Sequence, residues 1–343
     1  MIQLRRLVKF SEMIFFAVLL LVWFAGPASA ASQVNSVGAV GTTVADLDRS
    51  VAFFSEVLDF RKVSEIEFYD QQYDRLTGIF GARVRMATMK LGQEAIELTE
   101  YLTPPGRPIP TDSRSNDLWF QHIAIVVRDM DRAFARLQQF KVKPISTAPQ
   151  QIPDWNKGAA GIRAFYFRDP DNHALELIYF PAGKGDPRWQ ANTETLFLGI
   201  DHTAIAIWDT ETGLQFYRDQ LGLRVAGESL NYGIEQEHLN HVFGARVRIT
   251  GLRAAGGPGI EFLEYLAPRD GRPYPPDAKP NDLFHWYTTL HTQDVAGLMQ
   301  NLMSSKTRFI SGGIIEVGAI APGSRRAGLI RDPDGHAIKL VEP

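Results

Sequence analysis

The amino-acid sequence predicts an α+β fold built from four similar modules, and two observations support this prediction. First, the chain repeats itself: Phe-Gly-Ala-Arg-Val-Arg at 80–85 recurs at 243–248, Glu-Tyr-Leu at 100–102 recurs at 264–266, and Asn-Asp-Leu at 116–118 recurs at 281–283. Three landmarks in the same order and at nearly constant spacing indicate a duplicated half. Second, each half contains two stretches in which a short apolar strand precedes a helix that an aspartate opens.

The four modules begin near Val37, Phe120, Ile200 and Phe284. Runs rich in β-branched residues predict first strands at 122–127 in the second module and at 202–207 in the third. Each first strand is followed by an aspartate that can cap a helix, namely Asp46, Asp129, Asp209 and Asp294. The helix of the second module is expected over 130–140, and that of the third ends at 221 because Gly222 follows.

The closing strands of the second and fourth modules follow a shared turn sequence. Arg-Asp-Pro-Asp-Asn-His at 168–173 matches Arg-Asp-Pro-Asp-Gly-His at 331–336. Proline followed by Asp-Asn or Asp-Gly favours a tight turn between two strands, so closing strands are expected at 174–180 and 337–341. The duplication divides the chain into a first half (34–182), a polar linker (183–196) and a second half (197–343).

The first thirty residues have the pattern of a secretory signal peptide. Arg5, Arg6 and Lys9 form a basic start, an uncharged apolar run covers 13–25, and Ala-Ser-Ala at 28–30 supplies a small-residue cleavage site. We therefore expect residues 1–30 to direct export to the periplasm or outside the cell, with no membrane attachment after cleavage. An N-terminal anchor that is not cleaved is the alternative.

Composition excludes several classes of function. The chain is 45% hydrophobic and 22% charged, which is typical of globular proteins and sufficient for two domain-sized cores. Its net charge is −3 and no basic stripe is present, which argues against a nucleic-acid partner. The chain has no cysteine, so disulfides, thiolate metal sites and a cysteine nucleophile are excluded.

The Asp-Pro-Asp-Gly-His turn that leads into an apolar strand, together with a histidine that opens the first strand of a module, resembles the vicinal oxygen chelate superfamily. This superfamily includes glyoxalases, bleomycin-resistance proteins and extradiol dioxygenases, and the resemblance extends from about Val37 to Val341. It implies that the modules have the order βαβββ and pair into two cupped mixed sheets. It also implies that a divalent metal ion binds in a cup, between the first and last strands of the paired modules.

The resemblance places metal ligands at matching positions of these strands. They are His122 and Glu176 in the second module, and His202 and Glu261 in the third. Because residues alternate across a strand, small residues flank each histidine on the same face and leave room in the cup. The first and fourth modules depart from the pattern and have Ala39, Glu97, Tyr287 and Lys339 at the corresponding positions.

The pairing of the modules decides which metal site forms. Pairing across the duplication collects His122, Glu176, His202 and Glu261 in one cup, as the resemblance to fused glyoxalases implies. The other cup would then bind metal poorly, and Lys339 could pair with Glu97 there. Pairing of neighbouring modules would instead combine Glu97 with His122 and Glu176. We favour the crossed arrangement because it places the intact ligands in one site, but both arrangements are compatible with the sequence.

The resemblance implies an enzyme that requires one divalent metal ion and acts on a small oxygen-chelating substrate. A His/carboxylate set suits Zn, Ni, Co, Mn or Fe. The ion would stabilise an enediolate while Glu176 or Glu261 acts as the general base, as in a glyoxalase-like or epimerase-like lyase or isomerase. We expect the protein to be a monomer or a homodimer.

Two other functions are compatible with the same residues. An extradiol ring-cleaving dioxygenase would require Fe(II) or Mn(II), and His238, His241 or Tyr232 could provide its acid–base groups. A non-enzymatic small-molecule binder of the bleomycin-resistance type would hold an apolar or aromatic ligand without metal, for which Trp119, Trp155 and Trp286 are candidate contacts.

Overall fold

Each of the four modules consists of a first strand, a helix and three or more later strands. The computed structural model describes residues 33–305, 307–318 and 323–343, and the predicted signal peptide, 1–30, lies outside these residues. The strands are β1 (Val34–Val44), β2 (Arg61–Tyr69), β3 (Arg83–Leu91), β4 (Glu94–Thr103), β5 (Gln121–Val127), β6 (Lys143–Pro144), β7 (Gln150–Gln151), β8 (Arg163–Arg168), β9 (Ala174–Tyr179), β10 (Phe197–Ile207), β11 (Arg224–Tyr232), β12 (Arg246–Arg253), β13 (Gly259–Ala267), β14 (Trp286–Thr292), β15 (Arg308–Phe309), β16 (Ile315–Glu316), β17 (Arg326–Arg331) and β18 (Ala337–Glu342). The helices are α1 (Leu47–Leu58), α2 (Gln71–Thr77), α3 (Met130–Gln139), α4 (Thr210–Leu214), α5 (Ile234–Asn240) and α6 (Val295–Ser304).

The strands form two mixed sheets, and each sheet combines one module from each half. Cup A is formed by β1–β4 and β14–β18, in the order β15-β17-β18-β14-β1-β4-β3-β2 with β16 beside β17. Cup B is formed by β5–β13, in the order β11-β12-β13-β10-β5-β9-β8-β6 with β7 beside β8. The first strands of paired modules are antiparallel neighbours, β1 with β14 and β10 with β5. The predicted fold of four βαβββ modules is confirmed, and the modules pair across the duplication.

The helices begin where the sequence predicts. The side chain of each predicted capping aspartate accepts a hydrogen bond from a backbone N–H of the first turn, as seen for Asp46, Asp129, Asp209 and Asp294. Such caps satisfy N–H groups that have no partner within the helix. In the third module, α4 continues as a π-helical segment (Gln215–Gln220), and Gly222 follows with a φ of +84°.

Four of the helices, α1, α3, α4 and α6, unite neighbouring modules in shared cores. One buried cluster contains Leu47 and Phe54 of α1 together with Met130 and Leu137 of α3, so it joins the first and second modules. A second cluster around α4 and α6 joins the third and fourth modules in the same way. The inner faces of the two cups form separate apolar clusters. Among the described residues, no helix is sufficiently long and apolar to cross a membrane.

The two Asp-Pro turns connect β8 to β9 and β17 to β18. In the first turn, Asp169 accepts hydrogen bonds from the backbone N–H groups of Asp171 and His173, and Asn172 has a φ of +72°. Nδ1 of His173 lies 2.7 Å from the same carboxylate, and its Nε2 lies 2.6 Å from the carbonyl oxygen of Leu283. His173 therefore has a structural role that links the second module to the fourth.

Candidate metal centre

Four predicted ligand positions meet on the inner face of cup B, in two rows that run across neighbouring strands. In one row, Ala124 of β5 lies between His202 of β10 and Glu176 of β9. In the other row, Ala204 of β10 lies between His122 of β5 and Glu261 of β13. The small alanine in the middle of each row leaves space for the imidazoles and carboxylates on either side.

Three of the four side chains form a tight group. Nε2 of His122 lies 3.0 Å from Oε2 of Glu176, and Nε2 of His202 lies 3.5 Å from the same oxygen. The candidate ligand atoms of this group all lie within 4.8 Å of one another. The side chains are buried, with 0%, 6% and 7% of the surface exposed for His122, Glu176 and His202. Two modules from different halves therefore contribute to one buried His/carboxylate group.

Glu261 lies at the edge of this group. Its Oε1 is 3.5 Å from Nε2 of His202, and 25% of its side chain is exposed. It is therefore more accessible to a small molecule than Glu176, although the two glutamates hold equivalent positions in their modules. The assignment of all four residues as metal ligands stays a prediction.

The donor atoms suit a divalent metal ion. Nε2 of His202 is buried and has no hydrogen-bond partner among the residues that the structure describes. Its Nδ1 lies 2.9 Å from Oδ2 of Asp201 and donates to this carboxylate, so Nε2 is the ring nitrogen that is left to bind a metal ion. Burial lowers the pKa of His202, but the charge of Glu261 and the hydrogen bond with Asp201 outweigh it and raise the pKa well above its ordinary value, so a metal ion that bound Nε2 would take the place of its proton. Imidazole nitrogens and carboxylate oxygens are suitable ligands for Zn, Ni, Co, Mn and Fe.

Asp201 is a residue of the site that sequence reasoning missed. It is the extra residue of a β-bulge, because Ile200 pairs with Ile125 and His202 pairs with the preceding Ala124. Arg253 contacts both carboxylate oxygens at 3.0 and 2.9 Å, and Nε1 of Trp189 donates to Oδ1 at 3.1 Å. Burial raises the pKa of Asp201, but the hydrogen bond from His202 and the charge of Arg253 outweigh it and hold the pKa well below its ordinary value.

The two glutamates of the site differ in their electrostatic environment. Burial raises the pKa of Glu176, but the hydrogen bond with His122 and the nearby imidazole of His202 outweigh this effect and lower it to about 2. Burial raises the pKa of Glu261 above its ordinary value, and the charge of His202 only partly opposes this. Burial lowers the pKa of His122, which favours the neutral imidazole that binds metal.

Apolar and aromatic side chains fill much of cup B around this group. The ring of Tyr166 lies 4.8 Å from the ring of His122, and Ala204 and Leu239 belong to the same buried cluster. The room predicted beside the histidines is thus partly occupied by side chains from other strands and from α5. His238 and His241, at the end of α5, are exposed to solvent.

Cup A has a different set of side chains at the matching positions. Nζ of Lys339 and the hydroxyl of Tyr287 each lie 2.5 Å from Oε2 of Glu97. The predicted pairing of Lys339 with Glu97 is therefore confirmed. Burial raises the pKa of Glu97, but the charge and hydrogen bond of Lys339 and the hydroxyl of Tyr287 lower it below its ordinary value.

Solved structures of known proteins have the same architecture. Glyoxalase I from Zea mays aligns over 90% of this chain and 92% of its own, with a TM-score of 0.58 and 17% sequence identity. A putative dioxygenase from Bacillus subtilis aligns over 90% of this chain and 86% of its own, with a TM-score of 0.53 and 13% identity. At these identities the similarity shows the fold alone.

Sequence comparison identifies the family. An Actinomyces sp. protein named 2-epi-5-epi-valiolone epimerase is 35% identical over 150 residues, which cover 42% of this chain and 79% of the relative. The uncharacterized protein YaeR of Escherichia coli (strain K12) is 31% identical over 145 residues, which cover 42% of this chain and 94% of the relative. The family model described as Glyoxalase/Bleomycin resistance protein/Dioxygenase superfamily matches residues 36–177 and 199–340. The chain therefore belongs to the glyoxalase/bleomycin resistance protein/dioxygenase superfamily.

Proposed function

We propose that the protein is a divalent-metal-dependent enzyme that moves a proton at a carbon atom next to the oxygens of a small substrate. The observation that carries this proposal is the buried group of His122, Glu176 and His202, with the more exposed Glu261 beside it. Among glyoxalase-like lyase and isomerase activities we favour epimerisation, because the relative with 35% identity is named an epimerase.

The side chains of the tight group would hold the ion. His122 and His202 would each supply Nε2, Glu176 would supply a carboxylate oxygen, and Asp201 would keep the His202 ring in position. When bound, a divalent cation supplies Lewis-acid stabilisation of the negative charge that develops on substrate oxygens. The ion's identity is open among Zn, Ni, Co, Mn and Fe.

Glu261 is our candidate for the general base. A quarter of its side chain is exposed, whereas Glu176 is 6% exposed and is held by both histidines. A carboxylate at the edge of the group can contact the C–H bond of a substrate and accept its proton. The apolar side chains around the site, such as Tyr166, would exclude water while the proton is held on the glutamate.

An extradiol dioxygenase is the second candidate function, and one observation favours it. The tight group contains two histidines and one glutamate, which is the ligand set of many non-haem Fe(II) oxygenases. Glu261 would then lie beside the metal site without being a ligand. Iron as the bound metal, with oxygen consumption on catechols, would favour this function over the epimerase.

The first experiment measures the metal content of the purified protein by mass spectrometry, together with His122→Ala and His202→Ala. We expect one divalent ion per chain in the parent protein and none in either variant. Glu97→Gln is the matched control in cup A and should retain the ion. Metal retained in both histidine variants, or no metal in the parent after reloading, would contradict the proposal.

Activity is tested by exchange of substrate C–H hydrogen with solvent deuterium, followed by NMR on a panel of cyclic α-hydroxy ketones. The loaded enzyme should catalyse exchange on at least one of them, and Glu261→Gln should abolish the exchange while it retains the metal. Loss of exchange without loss of metal separates proton transfer from metal binding.

We also propose that the protein is exported and acts in the periplasm or outside the cell. The basic start, the apolar run and the Ala-Ser-Ala sequence at 28–30 support this proposal. N-terminal sequencing of the protein from the producing cells should identify a mature chain that begins at Ala31. An intact N-terminus in the membrane fraction would instead indicate an anchor.

A further inference from the structure

Cup A encloses a cavity that the candidate metal centre does not use. Its volume is about 430 Å³, and it lies between the strands of the first and fourth modules and α2. Much of its wall is apolar and comes from both modules, including Ile66, Leu76, Met86, Val317, Leu329 and Val341. A cavity of this size and character is typical of small-molecule binding sites.

The side chains on the inner face of cup A pack in an arrangement of their own, which differs from that of the metal centre in cup B. Gly41 lies between Tyr287 and Glu97 in the row that corresponds to His122, Ala204 and Glu261 of cup B. The Tyr287 ring occupies the space above Gly41, since a Cβ atom at this glycine would lie 2.0 Å from Cζ of the tyrosine. Because Gly41 has no side chain, the Tyr287 ring can lie over it and its hydroxyl can reach Glu97.

The charges on the floor of this cavity neutralise each other. Lys339 and Glu97 form an ion pair, and Tyr287 donates its hydroxyl to the same carboxylate. His285 is buried, which lowers its pKa to about 3, so its imidazole is neutral. Because Lys339 and Glu97 are already paired, an ionic ligand would meet no uncompensated charge among the described residues that line the cavity. The cavity therefore favours an uncharged molecule.

Three polar side chains around the cavity have atoms without partners. Thr99, His285 and Thr289 line it and are at least nine-tenths buried. Within the described part of the chain, the hydroxyls of both threonines and Nδ1 of His285 have no hydrogen-bond partner. Buried polar groups in folded proteins are almost always satisfied, so three such atoms around one cavity point to a ligand that bears hydrogen-bonding groups.

We propose that cup A binds an uncharged organic molecule with an apolar, ring-sized body and one or more hydroxyl or carbonyl oxygens, independently of the metal centre in cup B. The apolar walls would hold the body of the ligand, and Thr99, Thr289 and His285 would contact its oxygens. The protein would then have two small-molecule sites of different chemistry, one in each cup.

The test is an isothermal titration of the full mature protein with 2-naphthol, which is uncharged at neutral pH, and with its anionic analogue 2-naphthoate. We expect saturable binding of 2-naphthol, both in metal-loaded protein and after removal of metal with EDTA. Binding of 2-naphthoate should be weaker by about tenfold or more, because the described residues that line the cavity include no unpaired cation for it. Equal binding of the two ligands, or no saturable binding of 2-naphthol, would overturn the proposal.

Two matched variants locate the ligand. Thr88 lines the cavity opposite Glu97, and Gly251 lies opposite Glu261 at the corresponding position of cup B. Thr88→Trp should fill the cavity and weaken 2-naphthol binding by at least about tenfold, whereas Gly251→Trp should leave it unchanged. Loss of binding in Gly251→Trp but not in Thr88→Trp would place the ligand in cup B and refute the proposal.

A conservative variant keeps the test decisive if Thr88→Trp does not fold. Thr289→Val removes one hydroxyl and preserves the shape of the side chain, and circular dichroism and urea unfolding check the fold. We expect 2-naphthol binding to weaken by roughly fivefold, which corresponds to the loss of one hydrogen bond. Unchanged affinity in a folded Thr289→Val variant would contradict the contact that we assign to this residue and with it the proposed binding mode.

Discussion

The carboxylate of Asp201 accepts a hydrogen bond from Nδ1 of His202, and the two atoms lie 2.9 Å apart. The same carboxylate is held by the guanidinium of Arg253 and by the indole of Trp189. A fixed acceptor on one side of an imidazole sets its tautomer and directs the other nitrogen to a metal. Asp201 is therefore a positioning residue for His202, which in turn faces Glu176.

Asp201→Asn should weaken the binding of a divalent cation by about 10–100-fold, the usual effect of removing a partner of a metal-binding histidine. The measurement is a competition titration with a chromophoric chelator. Asp219→Asn is the control, because Asp219 is an exposed carboxylate paired with Arg218. Urea unfolding of the metal-free variant separates loss of positioning from loss of stability. An unchanged metal affinity would show that Asp201 has only a structural role.

The sequence predicts the rows of the candidate site because residues alternate strictly along most of β5 and β10. On one face of the sheet, Ala124 of β5 then lies beside Glu176 of β9, and Ala204 of β10 lies between His122 and Glu261 of β13. Asp201 could not be placed by this rule, which directs neighbours of His202 to the opposite face. The β-bulge at Asp201 turns this side chain away from the direction that strict alternation predicts. A bulge depends on the pairing of two strands that are distant in sequence. The only sign of this bulge in the sequence is that an aspartate precedes the predicted ligand His202.

The distribution of free space between the two cups could not be predicted either. Alanines beside the histidines indicated an open cup B, but Tyr166 and Leu239 pack there from a different strand and from α5. Cup A, in which other residues stand at the predicted ligand positions, contains the cavity of about 430 Å³. The volume of a cavity depends on side chains from several strands and helices, so the sequence of any one of them does not predict it.

Glu176→Gln and Glu261→Gln should have different effects, because the two glutamates differ in burial. Glu176→Gln removes the negative charge beside two histidine nitrogens, so we expect loss of the metal ion. Glu261→Gln should retain most of the metal and lose catalysis by about 100-fold or more, the usual contribution of a general base. Mass spectrometry and the deuterium-exchange assay measure the two properties on the same samples. Metal loss in both variants would instead make Glu261 an essential ligand.

Glu342 should make stability depend on pH in the acidic range. This buried carboxylate of β18 accepts hydrogen bonds from Arg325, Arg326 and the backbone N–H of Val295 in α6. The hydrogen bond from Arg326 is the main cause that lowers its pKa from 4.5 to about 2. Because the pKa is lower in the folded state, the stabilisation is complete above pH 4.5 and is lost as the pH falls toward 2.

Glu342→Gln should therefore reduce the free energy of unfolding by about 1–3 kcal/mol at pH 7, and this difference should shrink as the pH approaches 2. Urea unfolding of metal-free protein at several pH values measures it. Glu316→Gln, at an exposed position of β16, is the control and should differ little from the parent. A deficit of Glu342→Gln that is independent of pH would contradict the assignment to this carboxylate.

Lys339→Met should destabilise the protein because it leaves the carboxylate of Glu97 in cup A without its cation. The side chains of Lys339 and Glu97 are 14% and 22% exposed, so we expect a loss of about 2–3 kcal/mol at pH 7, below the full cost of a completely buried unpaired charge. In the variant, burial of Glu97 is opposed only by the hydroxyl of Tyr287 and weaker contacts, so its folded-state pKa should rise above the unfolded value. The deficit should therefore decrease as the pH falls and the carboxyl group takes up a proton.

The double variant Glu97→Gln/Lys339→Met removes both charges and should recover most of the lost stability, because neither partner is then left charged and unpaired. Urea unfolding of the parent, the two single variants and the double variant completes the cycle, and Lys90→Met, at an exposed position of β3, is the control. Since both residues belong to cup A, the metal content of cup B should stay unchanged in all of them. A single Lys339→Met variant as stable as the parent would show that the ion pair is dispensable, and the neutral floor that we infer for the cavity would lose its support.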